Sequence, residues 1–124
     1  MIEIEVANRS GAQFDVRAAE ELIRSVLGTE GVHDGELGLQ LVGRDEIRSL
    51  KRNHLGIDEE TDALAFPIDG VDPVPDDLPR QLGDVVICPQ VVGQEWRAPL
   101  VHAVLHLVGY DHGSEMEERE RAHA

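Results

Sequence analysis

A chain of 124 residues is long enough to bury a core and too short for two independent ones, so one domain over residues 1–124 is expected. Its 11 Lys and Arg against 25 Asp and Glu leave a formal charge of −14, which excludes general adhesion to nucleic acid or anionic membrane, so any polyanion must meet a local basic patch. No apolar run reaches the roughly 18–20 residues of a bilayer span, residues 1–6 show no basic-then-apolar leader, and the single Cys88 excludes an internal disulfide or cysteine zinc cluster, so a cytoplasmic protein with histidine and carboxylate metal chemistry is expected.

Ile2, Ile4 and Val6 alternate with Glu3 and Glu5, the period of a strand with one buried face. After a turn over residues 8–11, Asp15 caps a helix whose Ala19, Leu22, Ile23, Val26 and Leu27 recur at helical spacing, and Gly28 is expected to end it. Leu37, Leu39 and Leu41 predict a second strand, and Ile47 and Leu50 a second helix from about Arg44 to about Leu55. Residues 63–66 and 85–88 are short apolar runs closed by Pro67 and Pro89, the length of buried strands. Between them residues 67–84, with four prolines and many acids, read as a surface loop. Pro99 opens a helix over residues 100–108 whose only polar side chains are His102 and His106, and Gly109 stops it. Apolar on nearly every side, that helix belongs at the centre of the fold; residues 114–124 are polar enough for a short terminal helix or a frayed end. The pattern predicts a single α+β domain: a mixed sheet of about four strands with helices, and a central apolar helix that carries the histidines.

Three of the six histidines, His102, His106 and His112, fall in one stretch reading His-Ala-Val-Leu-His-Leu-Val-Gly-Tyr-Asp-His. Helical residues i and i+4 share a face with Cβ atoms roughly 5–6 Å apart, so His102 and His106 can converge on one ion. Gly109 can take the positive φ that turns the chain back and presents His112 from a third direction. Three imidazoles suit Zn²⁺ at roughly 2.0–2.1 Å and leave a fourth position open, the arrangement of catalytic zinc. One zinc ion per chain is expected, with Asp111 or a backbone carbonyl orienting a ring. The bland alternative makes them core histidines bonded to backbone groups. It must find partners for the ring nitrogens of two imidazoles on one apolar helix, or a desolvation cost of about 1–3 kcal/mol follows. The spacing is also similar to the metzincin peptidase motif His-Glu-x-x-His-x-x-Gly-x-x-His. Ala103 stands where that motif has its general base, so a small metzincin-like peptidase is kept only as an alternative.

Read as His-x-x-x-His-Leu-x-Gly-Tyr-Asp-His, residues 102–112 resemble the signature of the bacterial YbeY family, metal-dependent endoribonucleases of ribosomal RNA maturation. Thr61-Asp62-Ala63-Leu64-Ala65-Phe66-Pro67 is similar to the family's Thr-Asp-Val-Leu-Ser-Phe-Pro, and Leu82-Gly83-Asp84-Val85-Val86-Ile87 to its Leu-Gly-Asp-Ile-Val-Ile; Met116 and Glu120 echo its C-terminal helix. The resemblance spans essentially the whole chain and implies zinc on His102, His106 and His112. It further implies a single-strand-specific endoribonuclease acting in maturation of small-subunit (16S) rRNA, with rRNA or the ribosomal small subunit as partner and neither DNA nor membrane. Residues 89–101 are shorter than the family's segment, which implies a more open groove. The family's Leu-Asn-x-x-Tyr-Arg aligns with Leu50, Lys51, Arg52, Asn53, His54 and Leu55, so leucine stands at its arginine. A guanidinium steadies developing phosphorane charge and leucine cannot. A non-catalytic, zinc-containing ribosome-assembly factor is therefore a second alternative.

Arg44, Arg48, Lys51 and Arg52 fall at helical angles of about 0°, 40°, 340° and 80°, one continuous stripe, with Ile47, Leu50 and His54 at about 240–300° on the packing side. With aromatics at 3%, base stacking is disfavoured and the stripe is the phosphate-binding candidate; the plainer reading is a solvated face balancing nearby acids. Arg52, one turn before Leu55, is the expected catalytic cation. Asp62 and Asp84 either orient a histidine or serve turn chemistry, Cys88 reads as a core residue, and Trp96 as a packing residue.

Overall fold

Ile2–Asn8 forms strand β1 in the computed structural model, which describes residues 1–70, 72–75, 77–111 and 113–123. Helix α1, Val16–Thr29, starts where the Asp15 carboxylate accepts the Ala18 N–H at 3.1 Å. Gly28 does not end it. The left-handed residue is Gly31 at φ 81°, and the Val32 N–H closes on the Leu27 carbonyl at 2.8 Å, so capping hydrogen bonds set the stop, not the first glycine reached. Strand β2 is Gly35–Leu41, and helix α2 is Arg44–Leu55, ended by Gly56 at φ 72°.

Strand β3, Ala63–Pro67, keeps its proline because it is an edge strand, where a missing N–H costs no ladder bond. Strand β4, Gln81–Ile87, starts well before the expected Val85. The half-buried polar residue Asp84 interrupts the apolar run, yet Leu82 is fully buried and Gln81 pairs with Glu36 of β2, so the surface loop is shorter than the prolines suggest. A short helix α3, Pro89–Val92, is an element the sequence pattern did not mark. Helix α4, Arg97–Leu107, begins ahead of Pro99, which sits in the first turn where no helical N–H is needed. Helix α5, Ser114–Ala122, is the terminal helix.

The strand order is β1-β2-β4-β3, with β1 parallel to β2, β2 parallel to β4 and β3 antiparallel to β4, the mixed sheet of an α+β fold. One face buries Ile23, Leu27, Leu39, Val85, Leu105 and Met116 under α1, α4 and α5. The other buries Val42, Ile47, Leu64, Val86 and Cys88 under α2. Helix α4 packs against α1, α5, β3 and β4, which its all-round apolar surface requires. Trp96 packs against Phe14, with centroids 5.3 Å apart and planes tilted by 59°, and Arg97 lies over its ring, so it serves packing as expected. The core position of Cys88 likewise agrees with its apolar neighbours.

Candidate functional site

A cleft of about 550 Å³ runs along edge strand β3, between the end of α2 and the middle of α4. Ala63, Leu64, Ala65 and Pro67 form its floor, Lys51 and Leu55 one wall, and His102, Ala103, His106 and Asp111 the other, with Thr61 and Asp62 at one end. The helical period brings His102 and His106 to this opening, while the other residues of α4 from Leu100 to Leu107 are buried. Their Nε2 atoms lie 3.2 Å apart, with ring planes at 80°.

That spacing has a metric meaning. Two ligands on a tetrahedral zinc at about 2.0–2.1 Å are separated by an edge of about 3.3–3.4 Å, close to the observed separation. Glu120 on α5 places Oε1 3.3 Å from His102 Nδ1. With the proton of a neutral ring placed on Nδ1, toward that carboxylate, the Nε2 lone pair would face His106, as a metal ligand needs. The donor set therefore fits a zinc ion. Among the described residues no group of three His, Cys, Asp or Glu is placed to share a metal, and His112, the expected third ligand, lies outside the described residues.

The turn after α4 is fixed. Gly109 has φ 102°, and its N–H and that of Tyr110 bond the His106 and Leu105 carbonyls, each at 3.1 Å. The Tyr110 hydroxyl donates to Glu30 Oε1 at 2.7 Å, while Arg119 and His123 meet Glu30 Oε2, His123 Nε2 at 3.0 Å. Burial alone would raise the pKa of Glu30, but the hydrogen bonds from Arg119, Tyr110 and His123 outweigh it and hold it down at about 2. The Tyr110 hydroxyl is pushed up, first by donating to Glu30 and then by burial.

Of the residues expected to orient a histidine, Asp62 accepts the Ala63 N–H at 2.7 Å at the cleft's end, and Asp84 faces a separate groove with Gln40, Leu50, His54 and Phe66. Glu120 is the carboxylate beside the His102 ring. Its signal in the sequence is the i,i+4 spacing from Met116, whose burial turns the same face of α5 inward. The cationic stripe on α2 meets three acids of the following loop: Arg44 with Glu60 at 2.8 Å, Arg48 with Asp58 at 2.7 Å and Lys51 with Glu59 at 2.7 Å. Arg52, the expected catalytic cation, faces Asp58 at 3.9 Å and Ser49 at 3.4 Å rather than the histidines. The Asp58 carboxyl is held below its ordinary range chiefly by the hydrogen bond from Arg48.

Fold and cleft together define an α+β protein with a pair of imidazoles at chelating distance on an edge-strand opening. The family described as Endoribonuclease YbeY matches residues 4–123. Proteins named Endoribonuclease YbeY from Salinispora tropica and Acidothermus cellulolyticus are 39% and 37% identical, over 96% and 94% of this chain and 88% and 83% of theirs. A solution structure from Thermotoga maritima, 26% identical, covers 99% of this chain and 86% of its own with a TM-score of 0.60. The chain belongs to the YbeY family.

Proposed function

We propose that this chain is a single-strand-specific, metal-dependent endoribonuclease acting in maturation of small-subunit (16S) rRNA. It would work in the cytoplasm, as one domain over residues 1–124, on rRNA or the ribosomal small subunit, with neither membrane nor DNA as partner. The observation that carries the reading is the His102–His106 pair, 3.2 Å between Nε2 atoms, in a cleft of ligand size beside β3; the name borne by its relatives supports it. His102, His106 and His112 would hold one zinc ion per chain, which when bound supplies a Lewis acid for the scissile phosphodiester.

The chain's own groups do the rest. Glu120, 3.3 Å from His102 Nδ1, would hold the ring proton on that nitrogen and leave the Nε2 lone pair available. Glu30 pins Tyr110, the residue that follows the turn at Gly109. The apolar floor of Ala63, Leu64 and Ala65 excludes water from the phosphate and strengthens every charge interaction above it. Arg52, the cation expected from the sequence, has 54% of its side chain exposed and lies 3.9 Å from Asp58, a partner it would have to leave to reach an RNA phosphate outside the cleft.

Metal analysis, RNA cleavage and chelation test this together. Zinc at one per chain is expected. Cleavage of single-stranded RNA should fall by at least about 100-fold on chelation and in His106→Ala, in the range of losing one electrostatic element of an active site. Unchanged cleavage in both would overturn the metal mechanism. Zinc-dependent RNA binding without cutting would select the assembly-factor reading, and proteolysis of a denatured polypeptide the peptidase.

A further inference from the structure

We infer that Lys51 is the phosphate-binding cation inside the histidine cleft, and that Glu59 is the carboxylate an RNA phosphate displaces from it. This deepens the endoribonuclease reading and rests on it. Four cations on α2 look equivalent by spacing, but the structure separates them. Arg44, Arg48 and Arg52 keep 51%, 51% and 54% of their side chains exposed and are turned to Glu60, Asp58, Ser49 and the Gln90 carbonyl. The Lys51 side chain is only 15% exposed, and among the described residues it is the lone Lys or Arg lining the cleft that holds His102 and His106.

Helical geometry agrees. Leu55 lies about 40° from Lys51 around α2 and about 60° from Arg52, and Leu55 lines the cleft beside Lys51. With only 15% of its side chain exposed, against more than half for each of the arginines, Lys51 is the cation of the four held against the protein. Its partner is not so held. Glu59 lies in the loop after α2 with 61% of its side chain exposed and sits 2.7 Å from Nζ, so it regains hydration at little cost when released, as exposed partners of ion pairs do. An ammonium with three rotatable donors then accepts a phosphate oxygen from any azimuth, which suits a backbone read without sequence preference. Asp62 and Asp111 on the same cleft repel the phosphate elsewhere and leave the Lys51 end as its seat.

The test is binding of a fluorescent single-stranded oligoribonucleotide to the zinc-loaded full chain by stopped-flow anisotropy, before cutting, across a salt series, with cleavage read separately. Lys51→Met, which keeps the stem, should raise Kd about tenfold. It should also flatten the slope of log affinity against log salt by about 0.7, the value for one lost phosphate contact on a single strand. Lys51→Arg should restore most of both, Glu59→Gln should tighten binding, and Arg17→Ala, on an exposed i,i+4 pair of α1, should change nothing. Glu59→Gln also guards against a folding defect in Lys51→Met, because Glu59 is a surface residue and the expected sign is a gain. Wild-type chain that binds RNA while Lys51→Met leaves Kd and slope unaltered, or a Glu59→Gln that weakens binding, would overturn the Lys51 assignment and leave the endoribonuclease reading standing. Wild-type chain that neither binds nor cuts RNA would overturn both.

Discussion

His102 uses its two ring nitrogens for different purposes, one toward Glu120 at 3.3 Å and one toward His106 at 3.2 Å. A carboxylate on the far nitrogen fixes both the tautomer and the ring plane, and loss of such a partner costs metal affinity about 10–100-fold. Glu120→Ala should weaken zinc binding by that factor in competition with a chromophoric chelator. The fold should survive, because one third of the Glu120 side chain is already exposed. Undiminished affinity would mean that the contact is incidental. The histidine pair was legible in the sequence because the helical repeat alone fixes an i,i+4 relation. Glu120 was not, since which residue of α5 meets His102 depends on how that helix docks, and docking follows from the buried Met116 and the turn at Gly113, φ 145°. The stripe on α2 shows the same limit: periodicity puts four cations on one side but is blind to the acids at residues 58–60 that claim them.

The β3–β4 pair sets the floor of the cleft, and Gly83 is what lets it close. Gly83 has φ 136°, and a Cβ there would lie 2.3 Å from the Phe66 carbonyl oxygen and 3.0 Å from Leu107 Cδ2. The first obstacle is backbone of the paired strand and cannot step aside. Gly83→Ala should therefore cost about 2–4 kcal/mol and lower Tm by roughly 10 °C. Gly38 on β2 is the matched comparison. Its added Cβ would meet Asp84 Oδ1 at 2.0 Å, yet its φ is ordinary and the obstacle is a carboxylate that can rotate. Gly38→Ala should cost clearly less, and thermal melts in which the two substitutions cost the same would refute the distinction between backbone and side-chain obstruction. The start of β4 was hidden in the sequence for a related reason: its half-buried residues Gln81 and Asp84 are polar and Gly83 carries no side chain, so only its second half reads as an apolar run. The parallel β1–β2 unit was readable because alternating Ile and Leu mark strands directly and α1 between them supplies the crossover.

The whole molecule carries a charge of −14, so acidification has two opposed effects on it. Protonating exposed carboxylates relieves self-repulsion and favours the folded state, whereas protonating Glu30 removes the group that joins the end of α1 to Tyr110, Arg119 and His123. Glu30 titrates at about 2 in the folded chain against an ordinary value of 4.5, and its side chain is 5% exposed. A folded-state pKa below the unfolded one means that its contribution is complete above about pH 5 and is lost progressively as the pH falls from about 4.5 toward 2. Its ceiling is about 3 kcal/mol, from about 1.4 kcal/mol per unit of pKa. Wild-type stability alone mixes the two effects, but the difference between wild type and Glu30→Gln cancels the shared repulsion and isolates the clasp. Urea unfolding of both chains at pH 7, 4 and 3 should show a gap of up to about 3 kcal/mol at pH 7 that narrows steadily on acidification. A gap that stays constant across that range would mean that Glu30 acts through its shape in the packing and not through its charge.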